Sequence, residues 1–168
     1  MEVDIERVAP AASYPLRQAV LRPHQRIEEV ATPDDDDPDS ATFGAVDCAT
    51  GVLVGTATVL REEATWQDRT PYRSELTRAQ DWRLRFMATR EDLRGQGIGS
   101  LVLDAALAHV AAEAANEGRG IVLVWCNARV SAIAFYERAG FRTRGEEWVT
   151  PFGPHVVMWR TLETGRTT

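Results

Sequence analysis

Cysteine is scarce: Cys48 and Cys126 are the only two in 168 residues. Both lie in strand-like apolar surroundings, so two buried free thiols are expected rather than a disulfide framework. Histidine is scarce as well. His24, His109 and His155 show no ligand spacing with the cysteines, and no metal is expected. Long apolar runs are missing too, since none approaches the ~20 residues of a membrane span. The opening Met1-Glu2-Val3-Asp4-Ile5-Glu6 is acidic and lacks the apolar core of a signal peptide. These absences predict a cytoplasmic chain with no membrane partner. Positive charge is not in excess either: 19 basic residues face 25 acidic ones, a formal charge of −6. Phosphate backbones are bound through basic surface, so no nucleic-acid partner is expected. An acidic balance attracts cationic amines at long range, although its commoner effect is solubility. Linkers and internal repeats are absent, and the length suits one domain over residues 1–168.

What is present is a mixed pattern of strands and helices. Val3, Ile5 and Val8 alternate with polar residues, as in a first strand. Ser13 is placed to cap a helix over residues 15–22, with Leu16, Ala19 and Val20 as its buried stripe. Residues 27–30 read as a helical turn or irregular chain. Residues 32–40 carry four consecutive aspartates between prolines and read as a solvated loop rather than a cation site. Two strands, 42–48 and 52–60, form a hairpin across Ala49-Thr50-Gly51. Residues 62–81 are polar, contain Trp66, Pro71 and Tyr72, and are long enough for a functional loop. A strand over Trp82–Thr89 precedes a helix over residues 97–116, whose buried face is expected at Ile98, Leu101, Val102, Ala105, Ala106 and Val110. Residues 121–125 form a nearly unbroken apolar run, as in a strand covered on both faces. A short helix and two strands, 141–149 and 155–162, complete the chain, with Pro151-Phe152-Gly153-Pro154 as their turn. An antiparallel start followed by one βαβ unit predicts an α/β (α+β) three-layer fold.

The most informative stretch is Arg94-Gly95-Gln96-Gly97-Ile98-Gly99-Ser100, between a strand and a helix. Glycines there leave backbone N–H groups uncovered, and the helix N-terminus adds partial positive charge. Such an arrangement binds phosphate oxygens. A P-loop needs a Lys-Ser or Lys-Thr pair after its last glycine, and Gly99 is followed by Ser100 and Leu101. A dinucleotide fingerprint needs glycines at its first, third and sixth positions, and Ser100 occupies the sixth. Arg94, Gly97 and Gly99 match a third pattern, Arg/Gln-x-x-Gly-x-Gly/Ala. That pattern resembles the pyrophosphate loop of the GCN5-related N-acetyltransferases (GNAT), which bind acyl-coenzyme A.

A second segment strengthens the resemblance. Ala132-Ile133-Ala134-Phe135-Tyr136-Glu137-Arg138-Ala139-Gly140-Phe141 is similar to the later signature of the same superfamily, one helix and one strand downstream. It reads as a short helix with Ala132, Phe135 and Tyr136 on one face and Gly140 as its left-handed cap. Asn127-Ala128-Arg129, Gly153-Pro154-His155 and the Leu16-Arg17-x-x-Val20-Leu21-Arg22 segment together resemble one bacterial branch whose members are described by family alone. The resemblance implies a mixed sheet splayed between its fourth and fifth strands, flanked by helices.

The chemistry implied is transfer of an acetyl group from acetyl-CoA to an amine of a small molecule or peptide. In this family backbone N–H groups of the strand before the loop stabilise the oxyanion, which places Met87, Ala88 and Thr89 along the cosubstrate. Tyr136 stands where the family keeps the acid that protonates the departing thiolate. Its bland alternative is packing. The family's strand glutamate is missing, since Trp82, Arg83, Leu84 and Arg85 occupy that region. His155 is then the candidate base, because imidazole titrates near neutrality, with Glu147 and Glu28 as weaker candidates. Arg129 replaces the usual asparagine of the second motif, so Asn127 or Ser131 is expected to make that coenzyme contact, with Phe135 beside them. An acyl-cysteine at Cys126 is a remote alternative. Two other readings stay open: an acyl-CoA-binding sensor or partner subunit without catalysis, and a nucleotide-binding domain. Whether the chain forms a homodimer is left open.

Overall fold

The computed structural model describes residues 1–66 and 81–165. Most of the 62–81 loop and the tail at 166–168 therefore lie outside the described residues. The strands are β1 (Val3–Val8), β2 (Ala41–Asp47), β3 (Leu53–Arg61), β4 (Trp82–Thr89), β5 (Ile121–Arg129), β6 (Arg142–Thr150) and β7 (Gly153–Glu163). The helices are α1 (Tyr14–Leu21), α2 (Ile98–Asn116) and α3 (Ile133–Arg138), with short 3₁₀ turns between several elements. The strands form one mixed sheet in the order β1-β2-β3-β4-β5-β7-β6. The α/β (α+β) class expected from the element order is the one observed.

The chain groups into two compact units, which exchange within β4 and α2. The first comprises Met1–Leu60 and Arg85–Ala108. Here β1 pairs antiparallel with β2, and β2 with β3, with a register shift at Ala45/Val46. Gly55 in β3 lets α2 come close: a Cβ there would lie 2.9 Å from Ile98 Cγ2. The second unit comprises Arg61–Leu84 and His109–Thr168. Here β5 pairs antiparallel with β7 along its whole length, and β7 with β6. The parallel pairing of β4 with β5 is confined to Trp82↔Val124 and Arg83↔Trp125. An aromatic knot supports this pair. Trp66 stands edge-on to Trp125, Arg83 lies over the Trp125 ring, and the Trp125 indole N–H donates to the Glu62 carbonyl.

Several local expectations are corrected. The buried residues of α1 are Leu16 and Arg17, while Ala19 is exposed. A buried arginine in an apolar stripe needs partners that apolar periodicity does not show. Ser13 occupies the N-cap position of α1 but its side chain makes no cap bond; its hydroxyl donates instead to the Pro10 carbonyl within the preceding 3₁₀ turn, Pro10–Ser13. Along α2, Ile98, Val102, Ala106 and Val110 are buried as expected, joined by Leu103, Leu107 and Ala114, whereas Leu101 is exposed and Ala105 half-buried. That helix is apolar nearly all round, so periodicity alone did not select its whole inner face. It is also long and apolar enough to cross a membrane by length and composition, contrary to the sequence expectation. Cys48 is exposed just beyond β2, whereas Cys126 is buried as expected. The β6–β7 turn is tighter than expected, because Gly153 and Pro154 already belong to β7 and Thr150 pairs with Gly153.

Candidate active site

The glycine loop belongs to the first unit. Leu93 and Ile98 are buried on either side of it, and Arg94, Gly95, Gln96 and Gly97 stand exposed between those anchors. The Arg90 N–H donates to the Val54 carbonyl at 2.8 Å and ties the loop entrance to β3. Gly95 and Gly97 have φ +79° and +81°, where a side chain would be strained, and open space surrounds the position of an added Cβ at both. Ile98, Gly99 and Ser100 form the first turn of α2, whose leading N–H groups have no intrahelical acceptor. No acidic side chain sits in that turn to repel an anion. The Arg94 guanidinium is about half exposed and lies 3.6 Å from the Glu91 carboxylate. Bare amides, a helix dipole and a mobile-length cation suit a diphosphate.

Upstream of the loop, β4 contains a conformation no sequence pattern signalled. Phe86 has φ +52°, the one non-glycine residue in the left-handed region among those described. For a bulky aromatic this costs about 1–3 kcal/mol and persists only when its surroundings impose it. The next residues are Met87 and Thr89, half-buried, and Ala88, buried. Around Phe86 lie two guanidiniums, Arg17 at 4.0 Å and Arg85 at 4.7 Å from the ring centroid. Arg17 pairs with Asp35 and Arg85 with Asp34. The aspartate run is thus not a plain solvated loop: it forms a 3₁₀ turn, Pro33–Asp36, with Asp35 inside.

Tyr136 belongs to the second unit. Its helix follows a 3₁₀ turn, Val130–Ala132, and ends at Gly140, φ +82°, as the cap pattern predicts. Tyr136 is buried, its ring edge-on to Phe135 and Phe141 at 5.1 and 5.5 Å. Burial, with Cys126 nearby, pushes its phenol well above the usual tyrosine value. The phenol therefore stays protonated at neutral pH, as a proton donor must. Burial likewise pushes the Cys126 thiol up to about 12, which disfavours the thiolate an acyl-cysteine route needs.

Also in the second unit, Asn127 and Ser131 are exposed, and Phe135 is half-buried. His155 pairs across the sheet with Arg129 on one side and Trp148 on the other. Its Nδ1 lies 2.9 Å from the Gly153 carbonyl, which can only accept, so Nδ1 carries a hydrogen and Nε2 is the nitrogen left for other contacts. The Thr150 hydroxyl lies 3.3 Å from the same Nδ1 and donates to the same Gly153 carbonyl at 3.1 Å. Glu147 is exposed on β6, and Glu28 is exposed in the 3₁₀ turn Ile27–Glu29. Sequence reading missed Phe86, Arg17 and Gly55. The first two act through backbone strain and burial, and only Gly55, a glycine inside an apolar strand, carries a sequence signal of close approach.

Comparison with known proteins places these features in context. Residues 38–143 match the family model described as an acetyltransferase (GNAT) domain. An uncharacterized N-acetyltransferase of Bacillus subtilis strain 168, YitI, is 32% identical over 165 residues, covering 98% of this chain and 99% of its own. An acyl-CoA N-acyltransferase from Pseudomonas aeruginosa superposes with a TM-score of 0.68 at 20% identity, covering 95% of this chain and 99% of its own. Escherichia coli ElaA superposes with a TM-score of 0.64 at 18% identity and the same coverage.

Proposed function

The chain belongs to the GNAT acetyltransferase family, an enzyme family, and from that premise we propose that it is an acetyl-CoA-dependent N-acetyltransferase acting on a primary amine of a small molecule or peptide. The observation that carries this reading is the exposed loop with Gly95 and Gly97 in the left-handed region ahead of α2. A Cβ at either glycine would project into the space where phosphate oxygens approach the amides. Residues 94–100 would hold the diphosphate, with the Arg94 guanidinium as its mobile counter-charge. Asn127, Ser131 and Phe135 are the further candidates for coenzyme contact.

Bound acetyl-CoA supplies an activated acetyl thioester. Backbone N–H groups of Met87, Ala88 and Thr89 stabilise the negative charge that develops on its carbonyl oxygen as the amine nitrogen bonds to the carbonyl carbon. His155 Nε2, the ring nitrogen not engaged by Gly153, would accept the proton the amine must lose. The Tyr136 phenol would give its proton to the sulfur as the C–S bond breaks, and the cycle closes when His155 releases its proton to solvent and the phenolate takes one up. The products are the acetamide and free coenzyme A.

The test is thiol release from acetyl-CoA by purified protein against a panel of amines, with acetyl-CoA binding measured by calorimetry. Binding with thiol release dependent on one amine class is the expected result. Binding with no release across the panel would favour the non-catalytic acyl-CoA sensor, and no binding would end the reading. All 19 basic residues are arginine, so no lysine side chain of the protein itself adds background acetylation.

A further inference from the structure

The Phe86 turn in β4 is held by a buried ionic assembly that the reaction does not otherwise use. Arg17 is fully buried. Its Nη1 donates to both Asp35 oxygens at 2.8 and 3.0 Å, and its Nη2 donates to Thr58 Oγ1 at 3.0 Å. Thr58 Oγ1 in turn lies 2.9 Å from Thr42 Oγ1. Asp35 also accepts from the Tyr14 hydroxyl at 3.2 Å and from the Thr32 N–H at 3.0 Å. The guanidinium plane is therefore fixed by β2, β3 and the Pro33–Asp36 turn together, and the Phe86 ring rests on it at 4.0 Å. The same turn delivers Asp34 to Arg85, the second guanidinium on that ring.

A buried ion pair adds little stability over apolar residues of similar volume. What it adds is orientation, because a planar five-donor group has one way to satisfy its partners. We propose, building on the acetyltransferase reading, that Arg17 is a positioning residue: locked by Asp35 and Thr58, it clamps the Phe86 ring and holds the left-handed turn that orients the backbone of Met87, Ala88 and Thr89. The aspartate turn is then part of the catalytic scaffold. An apolar residue at position 17 would fill the space and leave the turn free to relax toward ordinary strand geometry, moving the oxyanion donors.

The decisive comparison is Phe86→Ala against Phe86→Gly. Both remove the ring, and only glycine adopts φ near +52° without strain. The clamp predicts that Phe86→Ala loses about tenfold or more in kcat, while Phe86→Gly stays within about threefold of the unaltered enzyme. Arg17→Met should behave like Phe86→Ala, and adding Phe86→Gly to it should restore most of the lost kcat. The Kd for free coenzyme A should stay within about threefold throughout, because the 94–100 loop is untouched. Denaturation midpoints give a readout independent of any substrate: if Arg17 acts through the Phe86 ring, the losses from Arg17→Met and Phe86→Ala should be non-additive in the double variant. Equal kcat losses in the two Phe86 variants, or additive midpoint losses in the double variant, would overturn the clamp. If the unaltered protein binds no acetyl-CoA, the acetyltransferase reading fails while the midpoints still decide the clamp.

Discussion

The glycine loop and the Tyr136 helix illustrate two ways of building chemistry. The loop is exposed and has two left-handed glycines with nothing beside them, and in the proposed reaction it would work through backbone N–H groups. Tyr136 is buried on an otherwise partly exposed helix with rings packed around it, and in the proposed reaction it would work through one hydroxyl. A backbone site tolerates changes of side-chain chemistry but not the addition of a Cβ at a left-handed position. A buried side-chain site tolerates ring-for-ring replacement in packing but not loss of the polar atom. The first should therefore report through affinity and the second through turnover.

The sharpest way to break that contrast is Tyr136→Phe. The loss should be about 10²-fold in kcat, with acetyl-CoA affinity unchanged, measured by thiol release and calorimetry. Full turnover in that variant would reduce Tyr136 to packing. Next comes Gly97→Val, which forces a branched residue to φ +81°. Strain of about 1–3 kcal/mol should weaken acetyl-CoA binding by about tenfold or more. A Kd within error of the unaltered protein would show that the loop amides do not hold the diphosphate.

A smaller effect tests how the loop is anchored. Gly55→Val would press on Ile98 and Val102 and should lower stability by about 1–3 kcal/mol in a urea titration. An unchanged midpoint would mean that α2 accommodates the added volume without loss. An effect that vanishes at neutral pH is the alkaline pH dependence expected of the buried side. The folded pKa of Cys126, about 12, lies above its ordinary value of 9.0. The native state then binds this proton more tightly, so the stability it contributes is intact below pH 9 and is lost as pH rises toward 12. The slope is about 1.4 kcal/mol per pH unit, and Cys126→Ala should flatten it by one proton's worth. Tyr136 adds a similar loss above pH 10. A stability curve identical with and without Cys126 would contradict its burial as a thiol.

Legibility in the sequence followed the range of the interactions. The glycine loop, the start of β4 and the Gly140 cap were readable because each is decided by a few neighbouring residues. The hairpin β2–β3 was readable from two apolar runs around Ala49-Thr50-Gly51. The inner face of α2 was readable at Ile98, Val102, Ala106 and Val110 but not at Leu101 and Leu103, which are equally apolar and distinguished only by the packing surface. Arg17 and the aspartate run were misread for the opposite reason. Charges read as surface until a partner 18 residues away is known to meet them in the interior.

By itself, the sequence determined which backbone segments could become strand, helix and anion loop, since glycine placement and apolar period act over a few residues. The tertiary structure alone decided that Phe86 would take a left-handed turn and that Arg17 would be buried beside it. Strain and buried charge are unfavourable locally, so they exist only where distant elements converge to hold them.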